Sequence, residues 1–135
     1  MNQSNRRKFI STAAALTAGT AATAMTISPK TRKYGIAHQV YFWLKRAGSE
    51  EDRQKLIEGI KTLKKIETVR EMHIGIVANT EKRSVIDSSW GVSELLYFDD
   101  LAGQAVYQAH PVHQDFAKNY GHLWSKVVVY DSVLI

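Results

Sequence analysis

The stretch YQAHPVH, residues 107 to 113, joins two helical patterns, and the other elements of the chain can be arranged around it. Asp100, a typical N-cap residue, and the apolar run with helical spacing that follows it predict a helix that reaches Tyr107. Pro111 interrupts that helix, because proline disfavours an α conformation at the preceding residue and suits the first position of a new helix. We therefore expect His110 in a turn and His113 in the first turn of a second helix.

Three side chains of this stretch can both form hydrogen bonds and move protons, namely Tyr107, His110 and His113. A helix N-terminus disfavours a nearby positive charge by about 0.3–1 kcal/mol, which favours a neutral His113 imidazole that can accept a proton. The same three residues could equally be amphipathic groups that pack with satisfied hydrogen bonds. The stretch is therefore a candidate for chemistry and a candidate for structure.

Strand and helix patterns alternate along the rest of the chain. Strands are predicted at residues 36–45, 69–77, 90–98 and 127–131. An amphipathic helix is predicted from Ser49 to about Ile66, and residues 122–126 are predicted to form a connector. The order β-α-β-β-α-β is the split βαβ pattern of ferredoxin-like folds. The sequence thus predicts an α+β protomer with a four-stranded antiparallel sheet and helices on one face.

Two polar residues share strand faces with apolar side chains. His38 alternates with apolar residues on the first strand, which makes it either a packed core histidine or a functional group. Glu94 lies on the apolar face of the third strand. Because an unpaired buried carboxylate costs several kcal/mol, we expect Glu94 at a subunit seam, paired with a cation, or in a functional site.

Aromatic side chains occupy the opposite face of the first strand, at Tyr41 and Trp43. Helices on one face of the sheet would leave this other face uncovered. An exposed apolar patch commonly marks a partner surface. A homodimer that buries sheet against sheet is the simplest expectation.

The N-terminal region is typical of an export signal. Arg6 and Arg7 precede an uncharged run rich in Ala and Thr, and Ala22-Thr23-Ala24 supplies an A-x-A cleavage site. This region resembles a twin-arginine (Tat) signal peptide. We expect a signal at residues 1–24, a linker at 25–34 and one domain at 35–135, with a periplasmic or secreted location and no stable membrane insertion after cleavage. An uncleaved membrane anchor is the alternative.

Charge and cysteine content narrow the classes of function. The chain has 135 residues, with 18 basic and 13 acidic side chains, and the predicted signal holds three of the basic ones and no acid. The remaining 15 basic and 13 acidic residues give a net charge of +2, which argues against a nucleic-acid partner. The absence of cysteine excludes disulfides, thiolate metal sites and a Cys nucleophile.

From about Gly35 to Asp131 the sequence resembles the stress-responsive dimeric α/β-barrel (Dabb) domain family. Three features carry the resemblance: the strand pattern His-x-Val-x-Phe-x-Leu-Lys that begins at His38, the pattern Tyr-x-x-His-Pro-x-His at residues 107–113, and the closing Val-Val-Val-Tyr-Asp at residues 127–131. The resemblance implies a ferredoxin-like protomer and a dimer in which two sheets close into a barrel.

A plant member of the family, olivetolic acid cyclase, performs an intramolecular aldol condensation. The resemblance implies catalytic roles at the matching positions: His113 would take a proton from an acidic carbon, Tyr107 would hydrogen-bond the carbonyl oxygen, and His38 would assist. It also implies a pocket with no cofactor, near which we place His110, Glu94 and Trp124. Since Glu94 falls near an apolar wall of the cyclase, a more polar small-molecule ligand is expected.

Three functional hypotheses remain open at this point. The first is a cofactor-free lyase or cyclase that uses acid/base chemistry next to a carbonyl. The second is a non-catalytic ligand-binding or stress-protective dimer that uses the same cleft. The third is a metal site of His38, His110 and His113, which is disfavoured because the only evident carboxylate is Glu94 and Pro111 breaks the helical spacing. We therefore predict neither a metal nor a cofactor.

Overall fold

Four strands and three helices form the part of the chain that the structure, a computed structural model, describes, which is residues 32–135. The elements are β1 (Ile36–Leu44), α1 (Glu50–Thr62), β2 (Glu71–Gly75), β3 (Val92–Phe98), α2 (Leu101–Ala109), α3 (Pro111–Tyr120) and β4 (Trp124–Val133). Short 3₁₀ turns follow α1 at Leu63–Lys65 and α3 at Gly121–Leu123. The predicted signal peptide and residues 25–31 of the predicted linker lie outside the described residues. No helix among the described residues is long and apolar enough to cross a membrane.

The sheet has the predicted ferredoxin-like topology. Its strands are all antiparallel and run in the order β2-β3-β1-β4. The largest differences from the predicted boundaries are at two strands: β2 is shorter, and β4 begins at Trp124, so the prediction of a connector was wrong for residues 124–126. Trp124 pairs with Leu44 across a register shift next to Trp43, and this pairing with β1 extends β4 over ten residues.

Side-chain caps fix where the helices start. Ser49 accepts a hydrogen bond from the Asp52 backbone N–H at the start of α1, and Asp100 accepts one from Gly103 at the start of α2. His110 is extended at φ −66° and ψ 138° between α2 and α3, and its Nδ1 accepts from the Val112 N–H at 3.1 Å. The predicted turn at His110 is therefore present, and this histidine also caps α3.

The core lies between the helices and one face of the sheet. On β3 the burial of side chains alternates strictly, with Val92, Glu94, Leu96 and Phe98 buried. The corresponding face of β1 includes His38, which is buried beside apolar neighbours. Both polar residues that the sequence placed on apolar faces are therefore inside the protomer. The opposite sheet face carries half-buried side chains.

Helices α1 and α3 are in close contact at Gly59. A Cβ atom at this position would lie 2.6–2.8 Å from ring atoms of Tyr120, closer than side chains can pack. Gly59→Ala is therefore expected to lower the free energy of unfolding by about 1–3 kcal/mol, although alanine favours a helix. Urea unfolding of the variant measures this loss, with the exposed neighbour Glu58→Ala as the control. A gain in stability would show that Tyr120 moves aside freely.

Candidate functional site: a buried histidine, tyrosine and carboxyl cluster

Five titratable side chains from five different elements meet on the helix side of the sheet. They come from β1, β3, α2, α3 and β4, and in that order are His38, Glu94, Tyr107, His113 and Asp131. Four of them were predicted from the sequence as site residues. The fifth, Asp131, was part of the closing family pattern and was not predicted to belong to the site.

The pairing of β1 with β4 holds His38 in place. His38 and Asp131 are opposite each other in the strand register, and their side chains are joined from Nδ1 to Oδ1 at 2.5 Å. Because an ionised carboxylate only accepts hydrogen bonds, Nδ1 of His38 carries the proton and Nε2 is left as an acceptor. His38 is 4% exposed, so water does not compete for its Nδ1. Asp131 therefore determines both the tautomer and the orientation of the imidazole.

Tyr107 lies at the centre of the cluster. Its ring centroid is 5.5 Å from that of His38 and 4.7 Å from that of His113, in edge-to-face arrangements. Its hydroxyl donates a hydrogen bond to Oε1 of Glu94 at 3.2 Å. Tyr107 is 1% exposed and Glu94 is 2% exposed, so this bond is shielded from water.

Burial raises the pKa of both partners in this hydrogen bond. It raises the pKa of Glu94 to about 7, and the bond from Tyr107 opposes that rise. The pKa of Tyr107 is also raised, mainly by burial and then by the adjacent Glu94 charge. Near neutral pH, therefore, the carboxyl exchanges its proton while the phenol keeps its own.

The structure speaks against two of the three alternatives that were open for Glu94. The carboxyl is enclosed by its own protomer, so it does not lie at a subunit seam. Among the described residues it forms no ion pair, and its hydrogen-bond partner is Tyr107. A role of Glu94 in a functional site therefore stays a prediction.

The pKa of His113 is lowered by its surroundings. Burial is the main cause that lowers its pKa, a charge on His38 lowers it further, and a hydrogen bond to the backbone of Gln108 opposes the change. The imidazole is therefore neutral at pH 7. This agrees with the expectation of a neutral His113, although burial rather than the helix N-terminus is the main reason.

The two remaining predicted site residues have other contacts. His110 caps α3, and its Nε2 lies 3.4 Å from the Glu67 carboxylate. Trp124 packs against Phe42 and Phe116, with ring centroids 5.1 and 5.6 Å away. His110 contacts Tyr107 through the backbone, since its N–H donates to the Tyr107 carbonyl oxygen at 3.1 Å, whereas its imidazole and the Trp124 indole have partners other than the Tyr107 phenol. Among residues 32–135, no three or more His, Asp or Glu side chains are arranged to hold a metal ion.

A small cavity of about 90 Å³ opens beside Asp131. Its lining residues are Ile36, Leu101, Gln104, Asp131, Ser132 and Val133. Drug-sized ligands need roughly 300–1,000 Å³, so this space suits a molecule of a few heavy atoms. A larger cavity of about 430 Å³ lies on the opposite face of the sheet, where Tyr41, Trp43, Trp90 and Tyr130 line it.

The raised pKa of Glu94 predicts a pH-dependent stability. Because the folded-state pKa is above the ordinary 4.5, the folded protein holds this proton more tightly than the unfolded chain. The contribution is complete below about pH 4.5 and is lost as the pH rises through about 7, on the order of 3 kcal/mol in all. Urea unfolding at about pH 5 and about pH 8 should show this loss for the wild type relative to Glu94→Gln. Equal pH dependence in the two proteins would contradict it.

The antiparallel sheet with helices on one face is that of a ferredoxin-like α+β protein, and a buried His, Tyr and carboxyl cluster lies under the helices. The chain belongs to the stress responsive A/B barrel domain (Dabb) family, whose model matches residues 36–134. The predicted family and fold are thus confirmed. No curated protein sequence matches the chain.

Solved structures share this fold at low sequence identity. A Dabb family protein from Mesorhizobium loti is 22% identical with a TM-score of 0.61, over 76% of this chain and 98% of that one. A dimeric ferredoxin-like protein from Thermobifida fusca is 17% identical with a TM-score of 0.61, over 75% and 92%. A hydroxynitrile lyase from Passiflora edulis is 19% identical with a TM-score of 0.62, over 74% and 93%. The predicted relation to olivetolic acid cyclase and the predicted signal peptide stay predictions.

Proposed function

We propose that this protein is an exported, homodimeric Dabb-domain protein that performs cofactor-free acid/base chemistry next to a carbonyl group of a small molecule. The observation that carries the proposal is the contact between the neutral His113 imidazole and the Tyr107 ring, 4.7 Å apart, beside an oriented His38. A base and a hydroxyl donor so close together are the two groups that such chemistry requires.

The reaction step follows from the cluster. His113 takes a proton from the carbon next to the carbonyl, and the electron pair of the broken C–H bond moves onto the carbonyl oxygen. Tyr107 donates a hydrogen bond to that oxygen as negative charge develops, which stabilises the enolate. In this scheme His38, oriented by Asp131 through Nδ1, uses its other ring nitrogen to hold a hydroxyl of the ligand. His113 then returns its proton or passes it to a leaving group.

The hydroxynitrile lyase from Passiflora edulis supports this reaction class, because it is a lyase built on the same fold. Breaking a hydroxynitrile also begins with loss of a proton to a base, in that case from the hydroxyl group. The carbon–carbon bond to cyanide then breaks as the carbonyl forms, and cyanide leaves with a proton. The same base and donor could serve both reactions, so we include a hydroxynitrile among the test compounds.

The general test is proton exchange next to a carbonyl. We expect the wild-type protein to accelerate exchange of the α-protons of hydroxyacetone or pyruvate in heavy water, followed by NMR, or to release benzaldehyde from mandelonitrile. Buffer and heat-unfolded protein are the controls. If none of the three compounds reacts faster than in these controls, the proposal fails.

One observation favours the non-catalytic alternative. His38 and Tyr107 are buried and already hydrogen-bonded to Asp131 and Glu94, as structural side chains would be. Under this hypothesis the protein binds a small ligand, or protects against stress, without turnover. Hydroxyacetone would then shift the NMR signals of the histidines while its α-protons exchange no faster than in buffer.

The homodimer follows from the open face of the sheet. Three aromatic rings pack together there, with Tyr41 5.2 Å from Trp90 and 6.2 Å from Tyr130, around the 430 Å³ cavity. The similar protein from Thermobifida fusca is described as dimeric. We infer that this face is buried against a second copy, since apolar surface exposed on a monomer commonly marks an interface.

A charge on this face should weaken the dimer. Tyr130 is 59% exposed on the outer strand β4, so Tyr130→Arg leaves the core of the protomer intact. We expect the dimer dissociation constant to rise at least tenfold, or about 1.4 kcal/mol, in sedimentation or light scattering. Val106→Arg places the same charge at an exposed position of α2 and serves as the control. Equal effects of the two variants would rule out this interface.

Export follows from the N-terminal sequence. The twin arginines and the A-x-A site support cleavage after residue 24 and a periplasmic or secreted location. Mass spectrometry of protein recovered from the cell envelope or medium tests both points. A chain recovered with its N-terminus intact would indicate the membrane-anchor alternative instead.

A further inference from the structure

We propose that Glu94, in its protonated form, is the positioning residue that releases the Tyr107 phenol proton to a bound oxygen, and that ionisation of Glu94 withdraws this donor. The inference rests on the proposed function, since it concerns how the same cluster is regulated. Glu94 does not touch the ligand in this scheme and acts through Tyr107.

The argument begins with the single proton of the phenol. The Tyr107 oxygen lies 3.2 Å from Oε1 of Glu94, and an ionised carboxylate can only accept a hydrogen bond. With Glu94 ionised, the phenol must therefore donate to Glu94 and has no proton left for a ligand. With Glu94 protonated, the carboxylic acid can donate to the phenol oxygen instead. The phenol proton is then free to turn toward the ligand oxygen.

The surroundings of Glu94 make the direction of its hydrogen bond with Tyr107 depend on the protonation of Glu94 alone. Its neighbours across the sheet are Val40 on β1 and Ile74 on β2, which are apolar. Beyond Tyr107 on α2, the titratable groups of the cluster are His38, His113 and Asp131. Helix α1 also has a buried acid, Asp52, whose carboxylate is paired with Arg46 at 2.5 Å. No lysine or arginine among the described residues pairs with Glu94, so its charge is not compensated.

A second tyrosine–glutamate pair in the same sheet shows what burial contributes. On the opposite face, the hydroxyl of Tyr34 donates to Oε2 of Glu71 at 2.7 Å, and Lys33 and His73 bind the same carboxylate. These hydrogen bonds lower the pKa of Glu71 to about 2, so that it stays ionised at all working pH values. The chemistry of the two pairs is the same, but only the buried carboxyl can change its charge near neutral pH.

The consequence is that the rate of α-proton exchange has an optimum pH and falls at both lower and higher pH. Below the optimum His113 becomes protonated and can no longer act as the base. Above it Glu94 ionises and captures the phenol proton, so the rate should fall about tenfold for each further pH unit until an uncatalysed floor is reached. Without Glu94, the alkaline fall should be absent.

The experiment compares pH profiles of α-proton exchange in hydroxyacetone for the wild type, Glu94→Gln and Glu71→Gln. Glutamine has the shape of glutamate but does not titrate, so Glu94→Gln should lose the alkaline fall and keep the acid one. Glu71→Gln is the matched control, because it removes the half-buried carboxylate of the other tyrosine–glutamate pair, and its profile should match the wild type. A ¹³C NMR titration of the glutamate carboxyls should show one signal that titrates near neutral pH and disappears in Glu94→Gln.

The outcomes separate the inference from the proposed function. An alkaline fall that persists in Glu94→Gln, or a Glu94 carboxyl that is ionised throughout the neutral range, overturns the inference while the exchange chemistry stands. A wild type without any exchange defeats the proposed function, and the Glu94 hydrogen bond is then structural. A Glu94→Gln protein that fails to fold is replaced by Glu94→Leu, which also lacks a titrating group and should likewise lose the alkaline fall.

Discussion

His113→Ala is expected to lower the rate of α-proton exchange by about 10²–10⁴-fold, the usual contribution of a positioned general base. The side chain is only half-buried, and its lowered pKa shows that the protein holds it in the neutral form. The loss should therefore fall mainly on the exchange rate rather than on stability. NMR exchange rates and urea unfolding of the same preparation measure the two effects.

The control for this substitution is His122→Ala, which removes an exposed imidazole outside the cluster and should leave the exchange rate unchanged. We expect His113→Ala to cost no more than about 1–2 kcal/mol in the free energy of unfolding. A loss of about 3 kcal/mol or more, with or without lost exchange, would instead identify His113 as a structural hydrogen-bonding group.

Tyr107→Phe is expected to reduce both the exchange rate and the stability. Loss of a preorganised donor to a developing oxyanion costs about 10²–10³-fold in rate. The same change leaves the Glu94 carboxyl buried without its hydrogen-bond partner, which costs about 1–3 kcal/mol in the free energy of unfolding. The stability loss should be larger above neutral pH, because the bond from Tyr107 favours the ionised carboxyl and its removal leaves that form unsupported.

The matched control for this prediction is Tyr34→Phe. It removes the hydroxyl from the half-buried tyrosine–glutamate pair, where Lys33 and His73 also bind the Glu71 carboxylate. Its cost should be within about 1 kcal/mol. The double variant Tyr107→Phe/Glu94→Leu should recover stability relative to Tyr107→Phe, because no polar group is then left without a partner. Additive losses in the double variant would show that the two side chains are not coupled.

The sequence was sufficient to predict the elements whose signals are local. The caps at Ser49 and Asp100 and the break at Pro111 depend on neighbouring residues, and all three are present. The alternation of side chains likewise placed His38 and Glu94 on the buried face before any partner was known.

The remainder of the site depends on contacts between distant segments. Asp131 reaches His38 because β4 pairs with β1 in a register that neither strand specifies alone. The partner of Glu94 was likewise unpredictable, since Tyr107 meets it only after α2 packs against the sheet. A clue to Asp131 existed in the closing Val-Val-Val-Tyr-Asp pattern, whose final carboxylate differs from the four residues before it.

The extended backbone at His110 connects helices α2 and α3 and determines the angle between them. Tyr107 is carried by α2, which the hydrogen bond to Glu94 holds against the sheet, and His113 is carried by α3. The torsion angles of one residue therefore set the separation of base and donor, without a change in either reacting group. A substitution at His110 would therefore adapt the cluster to a larger or smaller molecule while Tyr107 and His113 stay unchanged.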